Sequence, residues 1–133
     1  MIRTRTLRLR QARMAGALAI AAVFLLQAFN SFGCYRHTCA MWLQACTFLM
    51  LPMLPAFIGL LTRNPLRAVG ASALFAPWLP YAFYVDCVLP YGGGGASMVY
   101  VGVVMFGLPC AVLGALIAGP VSRWLGLRIE QPR

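Results

Sequence analysis

Four apolar blocks dominate the sequence, and each is long enough to cross a bilayer. They are Met14–Phe32, Ala40–Thr62, Ala68–Leu89 and Ser97–Gly119. A helix rises about 1.5 Å per residue, so about 20 residues cross a hydrocarbon core of about 30 Å. Because lipid cannot hydrogen-bond a backbone, each block must be helical. The sequence therefore predicts an all-α, four-helix transmembrane bundle occupying residues 14–119 as a single membrane domain.

The composition excludes an ordinary soluble domain. Hydrophobic residues make up 62% of the chain and charged residues only 10%. A net charge of +9 would suggest nucleic-acid binding in a soluble protein. Here the basic residues flank the apolar blocks, so we assign them to membrane orientation and to anionic lipid headgroups. The expected surroundings are a lipid bilayer, with no nucleic-acid partner.

The arginines predict the orientation of the chain. Ten of the eleven basic residues lie before the first block, between the second and third, or after the fourth, and only Arg36 lies on the other side. Short loops rich in arginine remain in the cytoplasm. We therefore expect a basic cytoplasmic arm at residues 1–13, a cytoplasmic tail at residues 120–133, and both termini inside. Every basic residue is arginine, which favours a GC-rich bacterial genome and hence a bacterial inner membrane.

The first block also resembles a secretory signal peptide, because an arginine-rich segment precedes Met14–Leu26. The stretch Ser31–Cys34 is a poor lipoprotein cleavage box, since Ser31 stands where a branched aliphatic residue is required. We interpret the block as a true membrane span.

The connections have clear turn signals. Pro65 is suited to begin the third helix, because a first-turn proline sacrifices no intrahelical hydrogen bond. The run Gly92–Gly95 indicates a flexible connector. After Pro120, the segment Val121–Ile129 alternates apolar residues with arginines, and this pattern predicts a short amphipathic helix at the inner membrane surface, with Trp124 at headgroup depth.

Small residues recur at helical spacing. Helices in lipid associate through close packing of such residues. The fourth block has the longest stripe, which consists of Gly107, Ala111, Ala115 and Gly119. The third block has a shorter stripe of Ala68, Ser72 and Ala76, and the first block has Ala15 and Ala19. We expect these residues to lie at helix–helix contacts.

Prolines fall near mid-membrane in three blocks. They are Pro52, Pro55, Pro77, Pro80 and Pro109, and the first four form two copies of Pro-x-Leu-Pro. Each should kink or break its helix. The kinks could serve packing, which we favour, or could build a transport site from discontinuous helices. The absence of an ionisable residue at this depth argues against ion-coupled transport.

Polar side chains cluster near the predicted outer face. Two pairs share a helix face at a spacing of three residues. The cluster comprises Gln27, Asn30, Arg36, His37, Gln44, Thr47 and Asp86. It could be interhelical hydrogen bonding near the surface, which we favour, or a shallow pocket that opens outward.

Three cysteines also lie on this side, where disulfides form. Cys34 could pair with Cys39, or either could pair with Cys87 and tie two hairpins together; we expect one disulfide and one remaining thiol. The membrane oxidases that recharge periplasmic disulfide donors are similar in topology. Their Cys-x-x-Cys is absent here, where Cys34 and Cys39 are five residues apart.

The functional expectation is a protein that binds another membrane or periplasmic component, or a copy of itself, without catalysis. No residues point to a catalytic, cofactor or metal site. The alternatives are a small transporter or channel that uses the kinked helices, and a thiol–disulfide redox protein that uses the outer cysteines.

Overall fold

The computed structural model describes residues 4–90, 92 and 97–130, and in them it has four helices long and apolar enough to cross a membrane. The first two are α1 (Leu9–Gly33) and α2 (Cys39–Leu61), and the last is α5 (Val99–Trp124). The third span, Leu66–Val88, consists of three shorter elements. The prediction of four membrane-spanning helices is confirmed.

The third span is built from α3 (Leu66–Phe75), α4 (Trp78–Phe83) and a π-helical segment, Tyr84–Val88. It begins as predicted directly after Pro65, and the Asn64 Oδ1 atom accepts a hydrogen bond of 3.2 Å from the Leu66 N–H. The glycine run lies outside the described residues, apart from Gly92.

Only the third span is interrupted at its prolines. Pro77 precedes α4 and Pro80 lies in its first turn. The N–H groups of a first turn have no acceptor within the helix, so a proline there costs no hydrogen bond. The equivalent Pro52 and Pro55 lie within a continuous α2, and Pro109 lies within a continuous α5. Pro52 is buried between turns that pack into the core, whereas Pro77 and Pro80 are exposed. The exposed Pro109 also lies in a continuous helix, so burial of the proline does not by itself decide whether a helix is interrupted.

The closest helix contact joins α3 to α5. A Cβ atom built on Gly70 would collide with the Gly114 carbonyl, and one built on Gly114 would collide with the Gly70 carbonyl. About two turns away on α5, the ring of Phe75 from α3 lies directly against Gly107. Backbone contacts backbone here, so both glycines are required by the approach of the helices rather than by their backbone angles.

The predicted stripe on α5 is partly the packed face. Gly107, Ala111 and Gly119 are buried, while Ala115 is half-buried and Gly114 takes the central contact. A strict spacing of four residues drifts around a helix that has about 3.6 residues per turn, so a straight contact alternates steps of four and three. In the other stripes Ala68 and Ser72 are buried, and Ala76, Ala15 and Ala19 are half-buried.

The amphipathic surface helix predicted over Val121–Ile129 is not found. Helix α5 continues through Trp124, and Gly126 turns the chain at φ 70° into strand β2, Leu127–Glu130. Strand β2 pairs in parallel with β1 (Arg5–Arg8) from the opposite end of the chain. Apolar and charged residues alternate with period two in Leu-Arg-Ile-Glu, which is the strand period, and Gly126 ends the helix in the usual left-handed conformation.

The bundle has two unlike ends. We call the end that carries β1, β2 and residues 62–65 the terminal end, and the end that carries residues 34–38 the loop end. The paired strands show that both termini leave the bundle on the same side. An even number of spans requires this arrangement.

The α3–α5 contact predicts a matched pair of substitutions in one helix. Gly114→Ala should destabilise the bundle by about 1–3 kcal/mol, because its methyl group has no room. Gly102→Ala should be neutral, or stabilising by up to about 1 kcal/mol, because its Cβ would meet nothing closer than the Phe106 ring at 4.0 Å. Unfolding in mixed micelles followed by circular dichroism measures both. Equal stability of the two variants would contradict the close contact.

Candidate binding site at the loop end

A disulfide closes the loop end. It joins Cys34, directly after α1, to Cys87 in the π-helical segment, 53 residues along the chain, with the Cα atoms 5.9 Å apart. Cys39 is free and exposed at the start of α2, and Cys46 and Cys110 are free and half-buried within spans. The structure thus selects one of the pairings that the sequence left open, and it fastens the first span to the third.

A buried chain of hydrogen bonds lies beneath the disulfide. The Asn30 amide donates to the Leu79 carbonyl at 2.9 Å and to the Tyr100 hydroxyl at 3.1 Å. Tyr100 in turn donates to Gln27 Oε1 at 3.0 Å, and the Gln27 amide donates to the Ser31 hydroxyl at 3.1 Å. One connected network therefore links α1, α4 and α5, and its members Gln27, Asn30 and Ser31 are buried while Tyr100 is half-buried. Partners of this kind satisfy amide groups that would otherwise be costly to bury.

A second polar contact lies nearer the surface. The Tyr35 hydroxyl donates to Asp86 Oδ2. Burial, followed by the hydrogen bond to the Asp86 carboxylate, raises the pKa of Tyr35 above its ordinary value, so the phenol stays protonated and remains a donor. The Tyr35 ring stacks on His37 at 5.3 Å and meets the edge of Tyr100 at 5.8 Å. The Tyr35–Asp86 contact is therefore linked to the buried network through the ring contact between Tyr35 and Tyr100.

The backbone between these aromatic residues is strained. Arg36 has φ 50°, a left-handed conformation that L-residues rarely adopt. On either side the Tyr35 N–H bonds to the Asn30 carbonyl at 3.2 Å, and the His37 N–H bonds to the Ser31 carbonyl at 2.9 Å. These contacts and the disulfide hold the loop in one conformation.

A groove of about 590 Å³ opens between α2 and α5 beside this loop. We call it the α2–α5 groove. Polar side chains line its loop end, and apolar side chains continue along the two helices. Its lining residues are Gln27, Tyr35, His37, Met41, Gln44, Ala45, Phe48, Tyr100, Val101, Val104 and Met105. Apolar walls with a few polar groups at one end are typical of binding sites.

Two polar groups at the groove have no hydrogen bond within the described part of the chain. Gln44 is exposed, and its amide makes no such bond there. The Nδ1 atom of His37 is buried and is likewise without a partner among the described residues. A ligand in the groove could therefore bond to the exposed Gln44 amide, whereas His37 Nδ1 is covered by protein atoms.

The predicted polar cluster is divided by the structure. Gln27, Asn30 and Asp86 join the hydrogen-bonded contacts, and His37 and Gln44 line the groove. The other two members, Arg36 and Thr47, take no part in these contacts.

Arg36 is exposed, and the exposed Thr47 hydroxyl bonds back to the Leu43 carbonyl of its own helix at 3.0 Å.

Sequence reasoning missed Tyr35 and Tyr100. The available signal was a phenol beside a loop cysteine and another near the loop end of a span, where a buried hydroxyl needs a partner.

None of the five mid-membrane prolines borders the groove as described. Within the described residues no group of three His, Cys, Asp or Glu side chains could hold a metal ion.

Comparison with known proteins finds no matching family model, no matching curated protein and no matching solved structure.

The disulfide predicts a pattern of thiol reactivity at the loop end. A charged, membrane-impermeant maleimide should label one cysteine of the oxidised protein, Cys39, because Cys46 and Cys110 lie within spans. Cys39→Ser should abolish the labelling, and Cys34→Ser should raise it to two sites by freeing Cys87. Mass shifts on denaturing gels count the labels. Three labelled sites in oxidised wild-type protein would contradict the bridge.

Proposed function

We propose that this chain is a multi-pass protein of a bacterial inner membrane, with both termini in the cytoplasm, which acts without catalysis by binding a membrane partner in the α2–α5 groove. The observation that carries the proposal is the groove itself, which lies between two spans, has mostly apolar walls and has the unused Gln44 amide at one end.

The shape of the groove favours another transmembrane helix as the occupant. Met41, Phe48, Val101 and Met105 are exposed side chains that form its walls, and the small Ala45 lies between Met41 and Phe48 on α2. Apolar side chains gain little by leaving lipid for protein, so association depends on close packing and on hydrogen bonds. A small residue flanked by larger ones lets a partner's side chain enter between them.

The Gln44 amide gives the groove specificity. Amide side chains bond between helices in membranes, and each such bond contributes about 0.6–2 kcal/mol. An acyl chain could fill the apolar part of the groove but could not bond to Gln44. A helix with a polar residue at the matching depth could do both.

The chemistry at the loop end favours binding over catalysis. Its carboxylate, Asp86, accepts a hydrogen bond from Tyr35, and Tyr100 is held between Asn30 and Gln27. These groups are committed to holding the helices and the loop together. The resulting wall is rigid, and rigidity reduces the entropy lost when a partner docks.

Site-specific photo-crosslinking tests the groove. A photoreactive residue at Val101 should yield a discrete protein adduct in native membranes, whereas the same residue at the exposed Ile117, on the opposite side of α5 from the groove, should yield none. Gln44→Leu should lower the Val101 adduct about threefold or more, because one interhelical hydrogen bond is lost.

The mass of the adduct identifies the occupant: twice the chain mass would indicate a second copy of this protein, and another mass a different partner. Equal adducts from Val101 and Ile117, or adducts with lipid alone, would contradict the proposal.

Reporter fusions test the proposed orientation. A reporter that is active only outside the cytoplasm should be inactive after Arg133 and active within Gly92–Gly95, because arginine-rich segments stay inside. The reverse pattern at either position would overturn the orientation.

A further inference from the structure

A second cavity, of about 650 Å³, lies at the terminal end, far along the bundle from the α2–α5 groove. The link between α2 and α3, the last turns of α5, and strand β2 together enclose it. Each of these segments contributes arginine. Arg63 and Arg67 come from the link and the start of α3, Arg123 from α5, and Arg128 from β2.

The lining has four guanidinium groups and, among the described residues, no carboxylate. Of the two acids in the chain, Asp86 lies at the loop end and Glu130 ends β2 outside the lining. The first turn of α3 also has no acidic residue to offset its partial positive charge. Even without Arg63, the three arginines Arg67, Arg123 and Arg128 give the lining a net positive charge, and an anion within the cavity would be stabilised.

The cavity has room for a ligand. Gly119 is buried, yet a Cβ atom built on it would meet no atom within 4 Å, so the helix surface at this point faces open space. The left-handed Gly126 reverses the chain after α5 and returns Arg128 to the same cavity as Arg123. The strand pairing that contradicted the predicted surface helix thus completes the wall.

We propose that this cavity binds a phosphate-bearing anion through its arginines. Planar guanidinium groups bond to phosphate oxygens in pairs, which is why arginine predominates at phosphate sites. The phosphate could belong to an anionic phospholipid headgroup or to a soluble phosphate compound. Trp124, which is 74% exposed in the last turn of α5, places the cavity at the depth of a membrane interface. The site is independent of the groove and of any partner bound there.

Lipid retention tests the site in the full-length protein. The protein is placed in nanodiscs of equal parts phosphatidylcholine and phosphatidylglycerol, and the retained lipids are weighed by native mass spectrometry. Wild-type protein should retain phosphatidylglycerol selectively. Arg123→Gln with Arg128→Gln should reduce that selectivity by about tenfold or more, because the hydrogen bonds from both guanidinium groups to the charged phosphate are lost. Gly119→Leu, which fills the cavity at unchanged charge, should reduce it similarly.

The matched control removes two arginines from outside the cavity. Arg10 and Arg13 are exposed on the first turns of α1 at the same end and do not border the cavity. Arg10→Gln with Arg13→Gln should change the selectivity by less than about twofold, because exposed charges that make no direct bond to the phosphate are screened by salt. An equal loss in this control would show a diffuse surface charge and overturn the proposal, as would full binding by a folded Gly119→Leu variant. If that variant does not fold, the two arginine pairs decide the question.

A second measurement separates the two sources of phosphate. Inorganic phosphate is titrated into protein in neutral detergent and followed by phosphorus NMR line broadening. Broadening that is lost in the Arg123/Arg128 variant but kept in the Arg10/Arg13 variant, without selective lipid retention, would support the site and assign it to a soluble anion. Selective lipid retention assigns it to the headgroup. Neither selective lipid retention nor phosphate binding would overturn the proposal.

Discussion

The close approach of α3 and α5 at Gly70 and Gly114 is the contact on which the bundle depends. In a membrane the surroundings of a helix are as apolar as its neighbours, so burying leucine against leucine yields little. Stability must come from surfaces that fit more closely than lipid does. Two facing glycines bring backbone to backbone, and Phe75 over Gly107 continues the contact along the same face. The remaining spans pack around this pair through small residues of their own, such as Gly16 and Gly59.

Packing alone would leave the loop end loosely defined, because α4 and the π-helical segment are short. Two further devices hold them. The Cys34–Cys87 disulfide fixes the end of the first span to the third. The Asn30 amide donates one hydrogen bond to the Leu79 carbonyl and another to the Tyr100 hydroxyl. A disulfide limits the unfolded chain, and a satisfied buried amide specifies one arrangement of helices. The α2–α5 groove lies against this fixed wall, while its other side is open to a partner.

The two ends of the molecule differ in chemistry. The loop end has aromatic rings, amides and a bonded carboxylate beside an apolar groove, whereas the terminal end has an arginine-lined cavity bordered by strand β2. The proposals for the two ends are separable for this reason. One concerns hydrogen bonds and packing within the membrane, and the other concerns charge at its surface.

The sequence by itself determined the four spans, because helix formation in lipid follows from length and apolarity without reference to any neighbour. It also indicated the helix start after Pro65 and a polar cluster that includes Gln27, Asn30 and Asp86. Which polar residues meet was decided only by the tertiary structure, since Asn30 and Tyr100 are 70 residues apart and nothing local relates them.

The same holds for the prolines and the tail. The two Pro-x-Leu-Pro motifs have different outcomes, since α2 continues through Pro52 and Pro55 whereas the third span is interrupted at Pro77 and Pro80. Leu127–Glu130 is a strand because Arg5–Arg8 lies beside it to pair with. A strand needs a partner, and a partner from the far end of the chain exists only once the helices have brought the termini together.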